Sequence, residues 1–430
     1  MSADLHTTGL DAFHMLRAEI LATIDERGID PAADAEAVRD VAAAAVARYQ
    51  RSAHLGDGVP LHDPDATSDR LVSAIVSFGP LSDLLSRSDI EEVFIEGSRV
   101  SFIDAQGRLR VLSEPTTAYE NQRIVERLLA ATTRRLDASS PLVQARVLDG
   151  HARLTAAIPP ISQELSATIR RHTLRRDTLP SLAATGSLEP AAASFLWGLM
   201  QGPVRLLVSG PPGAGKTSLL AALLAATPGD RCIRCCEEIR ELTVPFTHGA
   251  CYETRPPGLD GRTEISLRDL VKFVLAMRPD LIVVGEVRGA EAFELTRAAN
   301  AGCGLACTIH ANHARGALDA LVHAAVMAGE NVAEEALRAV FAAGIDVVVH
   351  VELRQPGEDG GQAMRRRVTE IIGIVPSLHG DFSTEPIFAR ASFDAPLEWT
   401  GFVPADARLE SRLPTGVTLR ALASGSVTPW

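Results

Sequence analysis

The chain has 430 residues, 46% hydrophobic and 22% charged, which is enough to bury the cores of two or three domains. Its 42 Lys+Arg stand against 54 Asp+Glu, a formal net charge of -12. That balance argues against a protein that coats nucleic acid, because neutralising phosphates takes a basic surface; only a local basic patch is compatible with it.

The N-terminus, MSADLHTTGL, has neither the basic start nor the apolar run of a signal peptide. Residues 1–53 are rich in Ala and charge with helical spacing, clearest over 33–49. Residues 54–68, with their Gly, Pro and Asp, read as a linker. A small α/β domain is expected over residues 69–175. It opens with helical spacing at 69–86. Strands come next at 92–95 and 100–103 around a turn at 96–99, then a turn at 104–107 before 108–112. A helix at 119–133 and strands at 152–158 and 167–171 complete it, and 173–186 connects onward.

From residue 190 strand and helix alternate. Strands are expected at 204–208, 231–236, 281–284 and 305–309, and helices at 216–226, 266–277, 290–301 and 314–327. That alternation implies a mainly parallel sheet with crossovers. Residues 347–353 and 367–375 read as a long hairpin about a polar turn at 355–362, and 380–430 as a weakly patterned appendage. The expected division is thus a helical extension and linker over 1–70, an N-terminal α/β domain over 71–180, and a main domain over 181–430. The most apolar stretch, 191–208, is broken by Gln201, Pro203 and Arg205, so no membrane span is expected and the chain reads as cytosolic, at most peripheral to a membrane. Cys232 and Cys235 form a C-x-x-C, but on a short strand they read as buried thiols rather than a metal site.

The strongest chemical signal is Gly210-Pro211-Pro212-Gly213-Ala214-Gly215-Lys216-Thr217-Ser218, a G-x-x-x-x-G-K-[ST] loop between an expected strand and helix. Its glycines let backbone amides curl around phosphate oxygens, and the helix start adds a favourable dipole. Lys216 would reach the β/γ-phosphates of ATP, and Thr217 would place a hydroxyl on Mg2+. Downstream, the apolar strand Leu281-Ile-Val-Val ends in Gly-Glu286, putting a carboxylate where α/β sheets hold ligands, able to act on water or on the metal. Glu237, Glu238 and Glu241 come after another strand, one crossover past the loop's helix, and can orient water or a metal-bound water, with a charged surface turn the less favoured reading. His310 in Thr308-Ile-His-Ala-Asn312 can report on the γ-phosphate by its position after a strand, whereas His313 and His323 read as surface residues. Arg255, Arg268 and Arg278 lie between these motifs, with Arg153 and Arg170 in the preceding domain. Any single one is better explained as an ion-pair partner, but the set is large enough to hold one or two phosphate contacts, and Arg278 is taken with Glu286, Glu237, Glu238 and His310 as a candidate catalytic residue.

The run RPPGLDGRTEISLRDLVKFVLAMRPDLIVVGEVRGAEAFE with TIHAN downstream of it resembles the ATPases of the type II/type IV secretion superfamily. Within it, the chain is most similar to the CpaF/TadA-like ATPases of tight-adherence (Flp) pilus systems. In those terms the loop is the Walker A motif, CCEEIREL the Asp box, LIVVGE the Walker B strand and CTIHAN the His box. Upstream, IEEVFIEG, RLDASSP, AAIPP and TIR also fit, so the likeness runs from about Leu71 to near the C-terminus. The loop has prolines where relatives prefer GGTGSGKTT, and Glu238 stands where Asp is usual.

The resemblance implies a RecA-like P-loop NTPase core, a smaller α/β N-terminal domain and a ring, usually a hexamer. It implies ATP and Mg2+ as cofactors, with Arg153 and Arg170 approaching phosphate, Glu286 as the catalytic Walker B carboxylate and Glu237 as the Asp-box glutamate. It also implies an inner-membrane platform protein as partner and no stable nucleic-acid partner. The expected function is a motor ATPase for pilus assembly or secretion across the bacterial envelope. A nucleic-acid-linked RecA-like translocase is the alternative. A small-molecule kinase and a scaffold that does not hydrolyse ATP are less favoured.

Overall fold

The fold is taken from a computed structural model, which describes residues 2–29, 31, 34–87, 89–104, 106–171, 177–242, 247–256, 263–355, 364–375 and 381–430, with side chains from residue 12 onward. The expected turn at 355–362 and the first part of the connection at 173–186 lie largely outside the described residues. The chain divides into two compact units, Met1–Thr173 and Leu174–Trp430.

The first unit begins with three helices, α1 (Ser2–Arg27), α2 (Ala35–His54) and α3 (Pro64–Val76). Leu16, Ile20, Val38, Val46, Leu71 and Ile75 share their core. Asp34 caps α2 by accepting from the Ala37 amide, and Asp63 caps α3 in the same way, with Pro64 in its first turn. So the Asp-Pro pair inside the expected linker is a helix start. The apolar stripe of α3 packs with α1 and α2.

After the short α4 (Ser82–Ser86) comes an antiparallel sheet with α5 (Ala118–Ala130) packed in the same core. Its strands are β1 (Glu92–Glu96), β2 (Arg99–Ile103), β3 (Leu109–Val111), β4 (Leu142–Val147), β5 (Ala152–Ala157) and β6 (Ser166–Arg171), in the order β3-β2-β1-β6-β5-β4. Strict alternation buries Ala152, Leu154 and Ala156 of β5 on one face. The opposite face carries Arg146, Arg153, Arg170 and Glu92, in register across four neighbouring strands.

The second unit opens with α6 (Leu179–Ala184) and α7 (Pro190–Gln201), then β7 (Arg205–Ser209), α8 (Lys216–Ala225), β8 (Ile233–Glu237), β9 (Gly249–Glu253), α9 (Leu267–Leu275) and β10 (Leu281–Val287). It continues with α10 (Glu291–Asn300), β11 (Gly304–Ile309), α11 (Ala314–Val326), α12 (Glu334–Gly344), β12 (Val347–Arg354) and β13 (Arg365–Val375). It closes with β14 (Ser383–Ala389), β15 (Glu398–Trp399), α13 (Ala407–Glu410) and α14 (Leu419–Ala423).

One sheet runs β15-β14-β13-β12-β7-β11-β10-β8-β9, parallel from β12 to β9 and antiparallel from β12 to β15. Helices cover both faces, so β7 is buried throughout: Leu206 and Val208 face one core and Leu207 the other. Cys235 and Cys236 likewise divide between the two cores.

Residues 381–430 are no appendage. Ile387 and Phe388 of β14 and Leu409, Leu419 and Leu422 complete one core. Gly198 of α7 makes room for them, since a Cβ there would lie 2.5 Å from Leu422 Cδ1. Elements this short give no helical or strand period long enough to read. Among the described residues no helix is long and apolar enough to cross a membrane.

Candidate active site

The chain leaves β7 at Ser209 and turns through residues 210–215 into α8. Gly213 and Gly215 have φ of +74° and +89°, and Gly215 is the N-cap of α8. A Cβ at Gly210 would stand 2.3 Å from the Val351 carbonyl oxygen of β12, so only glycine fits there. The first-turn amides of α8 have no acceptor within the helix and open into this loop, which suits it to an anion. Pro211 and Pro212 remove amide donors at two positions only. Pro212 is exposed, Ala214 is buried, and Thr217 and Ser218 sit half-buried on the first turn of α8.

Lys216 is 7% exposed, and its Nζ donates to the carbonyls of Gly210 and Pro211 and to His310 Nδ1, each at 3.1 Å. His310 comes directly after β11, the neighbour of β7, and its Nε2 meets Glu286 Oε1. Glu286 lies near the end of β10; its Oε2 accepts from the Arg288 guanidinium at 2.6 Å. Arg288 also reaches Glu238, just past β8, at 3.4 Å. One polar row thus crosses the C-terminal ends of β7, β11, β10 and β8 in sheet order, where a parallel sheet presents its ligands.

Burial, then the Lys216 charge, lowers the pKa of His310 from its ordinary value, and the opposing pull of Glu286 does not reverse this. The ring is therefore neutral near pH 7. Nδ1 lies 3.1 Å from the Lys216 ammonium and 3.3 Å from the Gly210 carbonyl; the ammonium can only donate, so Nδ1 accepts from it and the ring proton sits on Nε2.

The acidic cluster separates into different environments. Glu237, the last residue of β8, is 3% exposed and accepts at 3.1 Å from the amides of Glu241 and Leu242. It packs on Gly285, where a Cβ would meet Glu237 Cγ at 2.7 Å. Burial pushes its carboxyl up to about 8, against the lowering effect of those two amides. Glu238 is exposed and is the member linked, through Arg288, to Glu286.

The arginines also separate. Arg278 sits with φ +50° in the turn between α9 and β10. It precedes β10, whereas Glu286 is near the far end, about 17 Å along the strand. Within one chain Arg278 therefore stands at the wrong end of the sheet to meet Glu286, which corrects the expectation that the two share a site. Arg268 is held by Glu294 at 2.9 Å, and Arg255 donates to the carbonyl of residue 263 at 2.9 Å. In the first unit, Arg153 donates to Gln144 at 2.9 Å and Arg170 lies 3.4 Å from Glu92.

Three residues escaped the sequence reading. Arg288 was legible in principle, because period two on a strand places it on the face of Glu286. Arg146 belongs to β4, a strand not anticipated. Arg366 of β13 donates to the Gly213 carbonyl at 2.8 Å, a contact spanning 153 residues that no local pattern announces.

Loop, sheet order and polar row together define a RecA-like P-loop ATPase fold. The family described as "Type II/IV secretion system protein" matches residues 77–353, more than half of the chain, and the chain belongs to that family. A Mycobacterium tuberculosis protein named for conjugal transfer is 36% identical over 311 residues, covering 70% of this chain and 85% of its own. The type IV secretion system protein PtlH of Bordetella pertussis is 30% identical over 334 residues, covering 71% of this chain and 97% of its own. Among solved structures, the pilus retraction motor PilT with bound ADP is similar in fold, with a TM-score of 0.50 at 20% identity over 70% of this chain and 83% of that one.

Proposed function

We propose that this chain is an ATPase of the CpaF/TadA-like kind, working as a hexamer on an inner-membrane platform protein to power Flp/Tad-type pilus assembly or secretion. The observation that supports this best is the continuous row from Lys216 through His310, Glu286 and Arg288 to Glu238, set against a glycine loop shaped for phosphate. Residues 1–70, 71–180 and 181–430 would serve as extension, N-terminal domain and motor domain.

In this reading the amides of residues 213–218 and the Lys216 ammonium hold the β- and γ-phosphates of the substrate ATP. The Thr217 hydroxyl and the Glu286 carboxylate offer the hard oxygen donors that suit Mg2+, which would supply charge neutralisation at the phosphates. Glu286 orients the attacking water. Glu237, protonated below about pH 8, takes up a proton from that water only after ionising. His310 passes the state of the Lys216 ammonium to Glu286 through its two ring nitrogens, so loss of the γ-phosphate is felt two strands away. Arg153 and Arg170, with Arg146 in register beside them, would form an anion-contacting row.

Steady-state phosphate release without any acceptor tests the activity. The full chain should turn over ATP, and Lys216→Ala and Glu286→Gln should not; wild-type turnover in Glu286→Gln overturns the assignment. Mass photometry with ATP should find six copies. The relatives named for conjugal transfer favour the translocase as second reading. DNA-stimulated turnover with steep salt dependence would support it.

A further inference from the structure

In the first unit, the C-terminal half of α1 lies beside α5 and the turn after α3, and a cavity of about 280 Å3 opens between them. Three arginines line it: Arg17 from α1, and Arg123 and Arg127 from successive turns of α5. Their surroundings differ. Arg123 pairs with Glu126 at 2.7 Å. The other acid on the wall, Glu120, is engaged by Arg70 at 3.2 Å and by the helix cap at Thr117. Arg127 donates to the Ser77 carbonyl and meets no carboxylate among the described residues.

Arg17 is 9% exposed, and among the described residues it has no hydrogen bond and no ion pair, only the face of Tyr119 at 5.9 Å. A ring face attracts a guanidinium but does not neutralise it.

We propose that this cavity binds a phosphate-bearing anion, held by Arg17 and Arg127. A buried charge without a counter-charge is expensive, and arginine cannot escape by losing its proton. Two such charges close together add repulsion: the pKa of Arg127 is lowered first by burial and then by the charges of Arg17 and Arg123. A doubly charged phosphoryl group matches the two guanidiniums left over, and each offers a planar fork to its oxygens. The volume is just below the range of ordinary small-ligand pockets, about 300–1,000 Å3, which leaves room for a phosphoryl group with a small organic residue. The site is remote in sequence from the Gly210–Thr217 loop and does not depend on that loop's function. Arg17 lies outside residues 77–353, the span shared with the secretion family, whereas Arg127 lies within it.

The test uses the full-length chain carrying Lys216→Ala, which weakens phosphate binding at the loop, titrated with pyrophosphate in a calorimeter. One pyrophosphate per chain is expected, with affinity falling at least about tenfold on adding Arg17→Met or Arg127→Met. No binding by the parent, or binding that neither substitution weakens, overturns the proposal.

A melting curve separates binding from structure. Without anion, Arg17→Met should melt at or above its parent, because an unpaired buried charge has been replaced by an apolar chain of similar length. With pyrophosphate, only the parent should shift upward. A variant that melts well below its parent while the parent gains nothing from pyrophosphate assigns Arg17 to structure alone and overturns the site. If Arg17→Met does not fold, the half-buried Arg127 carries the same comparison. Sedimentation with phosphatidylcholine vesicles, with and without phosphatidic acid, distinguishes the sources. Arginine-dependent capture by phosphatidic acid assigns a lipid phosphomonoester; arginine-dependent binding of pyrophosphate alone assigns a soluble one.

Discussion

Lys216 Nζ donates to His310 Nδ1 across 3.1 Å, joining the first residue of α8 to the residue after β11, 94 positions apart in the chain. The contact requires His310 to be neutral at Nδ1. A protonated ring would set two positive charges against each other in a half-buried place.

That gives a pH signature. The folded pKa of His310 lies below its ordinary 6.5, so the unfolded chain binds the proton first as pH falls. Stability contributed by the neutral ring is present above that value and declines below it. Turnover should fall over the same acidic range, and His310→Gln should lack that limb while keeping turnover at pH 8. A pH–rate profile of both proteins checks this.

Glu286→Gln should lower kcat on the order of 10²–10⁴-fold, the usual contribution of a positioned acid–base group, with little change in ATP affinity. Arg288→Ala, which releases Glu286 from its 2.6 Å contact, should give a smaller loss of kcat. Single-turnover kinetics beside equilibrium nucleotide binding separates the two effects.

Arg366→Ala should raise KM for ATP by about tenfold, the scale of one charged hydrogen bond, because the Gly213 carbonyl loses its 2.8 Å donor. Arg366→Lys should recover part of this. An unchanged KM in Arg366→Ala would mean the loop holds its shape unaided.

His350, 2% exposed and 2.9 Å from the Ser209 hydroxyl, has its pKa lowered to about 4, mainly by burial. The unfolded chain therefore takes up this proton between pH 6.5 and 4 while the folded chain resists, so stability falls with pH in that window, by about 3 kcal/mol through this group. Urea titrations at pH 7 and pH 5 should show a smaller difference for His350→Gln than for the wild type.

Asp346 accepts from the Arg205 amide at 2.8 Å and from its guanidinium at 2.7 Å, both residues being buried. Asp346→Ala leaves that guanidinium with a carbonyl and no counter-charge, and should cost about 3–5 kcal/mol. A drop in urea midpoint at constant slope checks it.

The residues by themselves determined a good deal. Gly210–Thr217, Glu286 and His310 were each placed at the end of an expected strand, because a parallel strand is an apolar run that stops, and the residues just past its end face the ligand edge. The alternation of strand and helix from residue 190 announced the core for the same reason. The Asp-Pro start of α3 was also written locally, as a cap, though a linker is the reading its composition suggests.

Tertiary structure decided the rest. Strand order placed β11 between β7 and β10, which lets His310 touch both Lys216 and Glu286; the chain order of those strands says nothing of it. Burial separated Glu237 from Glu238, adjacent residues of the same type, by turning one into the core and the other toward Arg288. Arg366 gained its place from the packing of β13 against a loop 153 residues away and Arg146 from a short hairpin that sets it opposite Arg153, and Arg278 lost its expected place because it enters β10 at the end opposite the ligand edge. Sequence records the period of each element, but which edge and which neighbour an element meets is settled only when all of them pack together.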